Sequence, residues 1–301
     1  MRHTPYDGSS TPFTIGLKPL SISEWIEVDE TFDAQMCEKR RLYASIPDKV
    51  FVSEPDTEAS QIEVLDLVRE HVLAHFPERF RAEDGAIAIT GCPALSAQEL
   101  ASLPPLRAAS LLVQEDLILM RKGENGWRLA AGSLCFPSSW MLGEKFGKPL
   151  SEIHKPVPNF AAGSRNDELI SRMFDKLHQP VQRLNWSIQA GDALYHPLSN
   201  IGRVERAELR PSKFGDSDLN ASAFIRVERQ TLRKLPQSRD ILFTIRIYLD
   251  PLGALARHPE RSRLASGFAT SLRELDQEQL DYKGLTADRD RLAAALDAMT
   301  A

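Results

Sequence analysis

The chain has little cysteine. Cys37, Cys92 and Cys135 are odd in number and far apart, with no CxxC pair. That spacing argues against a disulfide framework, a zinc site or a cysteine-held iron–sulfur cluster, and it fits a reducing, cytoplasmic setting. Basic charge is short as well. Lys plus Arg number 37 against 42 Asp plus Glu, a formal net charge of −5. Nucleic acid recruits a basic footprint, so it is not the expected partner. No apolar run approaches the ~20 residues of a membrane span, and the opening "MRHTPYDGSSTPF" lacks the apolar core of a signal peptide. Walker, GxGxxG, HExxH and GxSxG sequences are missing, so no nucleotide, zincin or serine-hydrolase motif guides the reading.

What remains is ordinary globular material. The 301 residues are 42% hydrophobic and 26% charged, enough for one large domain or two modest ones. Residues 1–14 read as a flexible arm, 15–255 as the main domain and 256–301 as a charged, helical C-terminal extension. Asp29 to Ala44 reads as a helix with Phe32, Met36 and Leu42 inward, and a capping box is expected from Ser21 or Ser23 with Glu24. A second helix carries Ile62, Leu65, Val68, Val72 and Leu73 inward and ends at Phe76-Pro77. "GAIAITG" is a short β-branched run. "DLILMRK" and "WRLAAGSLCF" flank Gly123-Glu124-Asn125-Gly126, a hairpin signal. Ser138 or Ser139 is expected to cap a helix that presents Trp140, Leu142 and Phe146 to one side and stops at Gly147. Asp167 to Leu177 reads as another helix. From Val181 the chain returns to strands, "RLNWSIQ", "AFIRVERQTLRKL" and "DILFTIRIYLDPL", the last two joined through "PQSRD". Helices, a hairpin, helices, then an antiparallel set make the expected class α+β with a mainly antiparallel sheet.

Few residues stand out chemically. His71 and His75 are four apart on a helix, a metal-capable spacing without a third ligand nearby in sequence. His3 lies in the arm, His258 in a charged loop, and His178 and His196 beside prolines in connections. His154 closes "PLSEIH" and is followed by "KPVPNF", where Pro156 and Pro158 stiffen the exit. A histidine fixed at such a corner suits an axial ligand to haem iron. It equally suits a helix C-terminal cap, and on the residues alone the cap is the plainer reading. Arg226, Glu228 and Gln230 alternate on one face of a strand, with Arg246 and Tyr248 on the next. An arginine patch reads as a carboxylate or phosphate clamp, or as a cross-strand ladder such as Glu228 with Arg246. Arg183, Asn185 and Trp186 form a third group, as pocket wall or as core.

Several blocks carry a resemblance: "GLKPLSISEWIEVDETF" with "EKRRLYA", "VQEDLILM", "LCFPSSWMLGEKFGKPLSEIHKPVP", "QRLNWSI", and "RVERQTLRKLP" with "ILFTIRIYLDPL". Together they run from about Ile15 to Leu252. In this order the chain resembles the haem-dependent oxidative N-demethylase alpha-subunit-like family. The resemblance implies a PAS-like antiparallel sheet flanked by helices and a bound haem b. It implies oxidative removal of a methyl group from a small secondary amine of dimethylamine type, with dioxygen as oxidant and formaldehyde as product. Electrons would come from NADPH through FMN and a 2Fe-2S centre on reductase and ferredoxin-type partners, because this chain carries no pattern for either. His154 matches the histidine of the family's central block and is the expected axial ligand. Arg226, Arg229 and Arg246 match its strand arginines and are expected on the haem propionates. Glu228 is the expected catalytic carboxylate, binding the substrate ammonium or relaying protons. Trp186 and Trp140 are expected in the haem or substrate wall. The alternative within the same resemblance is a haem- or small-ligand-binding PAS-like sensor without turnover.

Overall fold

The alternating segments pair as antiparallel strands. The computed structural model describes residues 1–9, 12–160 and 163–300. Residues 10 and 11 of the expected arm and Ala301 of the expected extension lie outside that set. Among the described residues the strands are β1 (Lys18–Pro19), β2 (Phe51–Ser53), β3 (Phe80–Glu83), β4 (Ala86–Ile89), β5 (Asp116–Gly123), β6 (Gly126–Ser133), β7 (Val181–Ala190), β8 (Ala223–Lys234) and β9 (Ile241–Pro251). Seven form one sheet in the order β1-β7-β8-β9-β5-β6-β2, antiparallel throughout, and β3 and β4 form a separate pair. The α+β class expected from the element order is the class observed.

The turn chemistry explains the central hairpins. Gly123 pairs with Gly126, and Gly126 takes φ +89°, a region open to glycine at little cost. β8 and β9 are joined through residues 235–240, and their register sets Glu228 opposite Ile247 and Arg229 opposite Arg246. The expected Glu228–Arg246 ladder is therefore absent: a strand's side chains alternate faces, and these two residues point to opposite sides of the sheet. Arg229, Thr231, Thr244, Arg246 and Tyr248 share the back face, where Thr231 and Thr244 hydrogen-bond at 2.6 Å. Glu228, Gln230, Leu232, Phe243 and Ile245 share the front.

Each face is covered by different elements. The helix Phe32–Ser45 lies on the back, burying Phe32, Met36 and Leu42 as expected. Its Tyr43 bonds Ser133 of β6, and its Gln35 accepts from Arg246 of β9 at 2.9 Å. The helix Glu58–His75 buries Leu65, Val68 and Val72 and ends before Phe76-Pro77. Ile62, expected inward, is 46% exposed. Three C-terminal helices, Arg261–Arg273, Gln277–Lys283 and Arg289–Asp297, close a second core over Trp186, Val227 and Tyr248. No helix of the described residues is long and apolar enough to cross a membrane.

Three local expectations need correction. The capping box at Ser21 or Ser23 does not form. Residues Ile22–Glu24 make a single 3-10 turn without a side-chain cap, and the two serine hydroxyls bond each other at 2.9 Å. The capped helix at Ser138 is absent too. Ser139 adopts φ +59°, which no helix allows, and only the turns Leu142–Lys145 and Leu150–His154 are helical, with Gly147 at φ +73° between them. Residues 1–9, expected to be loose, are packed. Tyr6 is buried and stacks on Phe268 at 4.4 Å, and His3 bonds Glu27 at 2.9 Å.

Candidate functional site

The front of the sheet is the floor of a cleft with about 1730 Å³ of empty space, part of it open to solvent. The volume it encloses is about 250 Å³, just under the ~300–1,000 Å³ usual for small-molecule pockets. Ile118, Met120, Phe243 and Ile245 make the floor apolar under β5 and β9, while Arg183, Asn185, Glu228 and Gln230 make it polar under β7 and β8. The opposite wall comes from segments between strands. The turn Leu150–His154 contributes Leu150, Ile153 and His154, and the helix Arg165–Lys176 contributes Ile170, Met173 and Phe174.

Local sequence sets how His154 stands. Pro149 begins a turn of five helical residues, and the Lys155-Pro156 step ends it. The chain then reverses through Asn159 at φ +68°. His154 lines the cleft with Phe160 at 6.0 Å between ring centroids. Burial pushes its pKa down to about 3, helped by the charges of Lys145 and Arg183, while a main-chain hydrogen bond at Leu150 acts the other way. The imidazole is therefore neutral at physiological pH. Metal ligation requires the ring in this deprotonated form.

A second histidine borders the same cleft. His196 is fixed by two main-chain bonds, donating its N–H to Pro137 at 3.2 Å and accepting from Ser139 at 3.0 Å. Its pKa is lowered by burial and by Lys213, Arg226 and Arg206. The strained Ser139 beside it is gripped from the helix Asn200–Leu209, where Arg203 donates to its carbonyl. Backbone strain of this kind clusters where a site needs a fixed wall.

Charge in the cleft is unbalanced. Lys145, Arg183, Lys213 and Lys283 border it, and Glu228 is the single carboxylate among its described lining residues. Burial pushes Lys145 and Lys213 down to about 7 and Lys283 down to about 8. Lys213 donates to the carbonyls of Ile188 and Lys283, and Lys283 donates to that of Trp186. Lys145 stands 4.3 Å over the Trp140 ring. Half-buried cations in excess over anions mark a place for an anionic ligand.

The structure divides the residues picked out from the sequence. His154, Glu228, Trp140 and Trp186 border the cleft. Trp186 also belongs to the second core, edge-on to Phe268 at 4.9 Å. Arg226 projects to the cleft side but is spent on the carbonyls of Phe136 (2.6 Å) and Leu194 (3.4 Å), which ties wall to floor. Arg229 and Arg246 stand on the back face, away from the cleft. Arg229 donates to the Trp25 carbonyl at 3.0 Å and to Gln182 at 3.0 Å, and Arg246 donates to Asp29 at 2.6 Å. His178 is exposed and bonds the Lys176 carbonyl. Lys145, Lys213, Tyr282 and Lys283 were not foreseen. They are scattered along the chain, and only the tertiary fold collects them.

A family model described as haem-dependent oxidative N-demethylase, alpha subunit-like, matches residues 16–293. The chain belongs to this family. The match runs from before β1 into the helix Arg289–Asp297, so it takes in the whole sheet, most of the cleft lining and the first two C-terminal helices. The family name carries haem dependence, oxidative N-demethylation and an alpha subunit that works with others. The cleft suits haem on its own chemistry. It offers a neutral imidazole at His154, apolar surfaces on floor and wall, and half-buried cations in excess of its carboxylates.

Proposed function

We propose that this chain is the haem-b subunit of an oxidative N-demethylase acting on a small secondary amine of dimethylamine type. The observation that carries the reading is His154, held neutral on one wall of a cation-rich cleft inside a chain of this family. Each turnover would take dioxygen, two electrons and two protons, and would release the demethylated amine, formaldehyde and water. The haem, when bound, supplies the redox chemistry that activates dioxygen. His154 would hold its iron through a ring nitrogen. Lys145 and the third ammonium proton of Lys213 would meet the two propionates. Glu228 would receive the ammonium of the incoming amine and accept its proton, so that the nitrogen is neutral when it reacts. Phe243, Ile245, Ile170 and Phe174 would keep water from the reacting methyl group.

Electrons would arrive from NADPH through FMN and 2Fe-2S centres on partner proteins of reductase and ferredoxin type. The alpha-subunit-like family name supports such partners. The PAS-like reading is supported by the sheet itself: its five long strands lie in the order β6-β5-β9-β8-β7, with helices on both faces.

Reconstitution with haem tests the proposal. A Soret band that shifts on adding dimethylamine, and formaldehyde release with dioxygen and a surrogate reductant, are the expected results. A Soret band with neither response to any small amine would point to a sensor instead.

A further inference from the structure

We infer that the amine accepted by this cleft also carries a carboxylate, so that the substrate class is an N-methylated amino acid rather than a bare alkylamine. The inference rests on the demethylase reading above and narrows its substrate. Its basis is the polar part of the floor. The register of β7 and β8 sets Arg183 opposite Gln230 and Asn185 opposite Glu228, and all four border the cleft. Directly opposed residues on one sheet face lie about 5 Å apart and diagonal ones about 7–8 Å. Arg183 and Glu228 are such a diagonal pair.

Both charged groups have capacity to spare. Arg183 donates from Nη1 to the Thr14 carbonyl at 3.3 Å, and its Nε is buried without a partner. Glu228 accepts from Gln230 at Oε2 (2.9 Å), and its Oε1 has Arg226 at 3.7 Å, beyond hydrogen-bond length. A guanidinium with open donors and a carboxylate with an open oxygen, one diagonal apart on a rigid sheet, match a zwitterion. The ligand's carboxylate belongs on Arg183 and its ammonium on Glu228. The quartet is on the floor while His154 comes from the opposite wall, so the two do not compete for one surface.

The field in the cleft agrees. Four cations border it against one carboxylate. A bare dimethylammonium would enter against that field, and a zwitterion would not.

The test compares N-methylglycine and N,N-dimethylglycine with dimethylamine and trimethylamine. Affinities are read by titration calorimetry on the chain with and without haem, and by the Soret shift of the haem-loaded chain. The carboxylated amines are expected to bind at least tenfold tighter. Arg183→Met should erase the gap between the two classes, and Arg183→Lys should restore part of it. Circular dichroism checks that each variant is folded, and Asn185→Leu, which alters the quartet without touching its charges, should weaken the preference by a smaller factor. Equal or tighter binding of dimethylamine overturns the inference, as does a preference untouched in Arg183→Met. Loss of haem itself in Arg183→Met also overturns it, because Arg183 would then be a propionate partner. The underlying reading fails separately. Without a Soret band in the unaltered chain the haem is gone, yet calorimetry on the haem-free protein still decides whether the floor takes a zwitterion. No binding of either class to either form overturns the inference as well.

Discussion

Replacing Arg246 by Met should destabilise the fold from the back of the sheet while leaving the cleft nearly intact. Arg246 is fully buried, donates to Asp29 at 2.6 Å and Gln35 at 2.9 Å, and lies over the Tyr248 ring at 4.6 Å. Met retains most of the apolar stem, so the cavity is small and the loss is mainly electrostatic. Burial opposes the Asp29 charge, and Arg246 is the largest influence holding its pKa down. Without the guanidinium that carboxylate is stranded. Breaking a buried pair from one side costs about 3–5 kcal/mol. Asp29 keeps bonds from Thr31 and Gln114 and some exposure, which places the expected loss near the lower end, about 3 kcal/mol. Urea unfolding with an unchanged slope is the assay. Asp29→Asn in the same background should recover part of the loss, because the stranded charge is then removed. Haem affinity measured on the folded variant should change less than threefold. A loss under 1 kcal/mol together with a collapse in haem affinity would refute the reasoning and return Arg246 to the cofactor.

Other expectations are independent of that one. The His154 pKa sits well below its unfolded value, so the unfolded chain binds a proton first, and stability should fall as pH drops from about 6.5 toward about 3. The slope from this group is at most about 1.4 kcal/mol per pH unit, and His154→Gln should flatten that part of the profile in acid-unfolding measurements. Gly267→Ala should displace the N-terminal segment, because a Cβ there would meet the Asp7 main chain at 2.5–3.0 Å. The cost is about 1–3 kcal/mol, and limited proteolysis should begin cutting within residues 1–9. Trp186→Ala should cost about 3–5 kcal/mol in urea unfolding even without haem, since the indole packs in the second core against Phe268.

The sheet was legible because its signals are local. Alternation in "FTIRIYL" separates Phe243 and Ile245 from Thr244 and Arg246, and the structure keeps that separation. The Gly-Glu-Asn-Gly turn specifies its hairpin in four residues. The cleft was legible only in pieces. Proline bracing marked His154, and strand alternation marked Glu228, Arg183 and Asn185. Which face an arginine serves is another matter. Arg226, Arg229 and Arg246 look alike in sequence, but register sends two of them to the back, where carbonyls and Asp29 absorb their charge. The lysines come from positions 145, 213 and 283, so no spacing rule links them. Ser139 failed as a helix cap because Arg203, 64 residues away, pins its carbonyl in a left-handed turn. Tertiary contacts overrode a reasonable local signal there.

The most direct measurement is the visible spectrum of the haem-reconstituted chain beside those of His154→Ala and His196→Ala. The unaltered protein should show a Soret band, His154→Ala should lose or strongly shift it, and His196→Ala should keep it. An unaltered spectrum in His154→Ala would contradict the account and move the iron to the other cleft histidine, and no Soret band in the parent chain would contradict haem binding altogether.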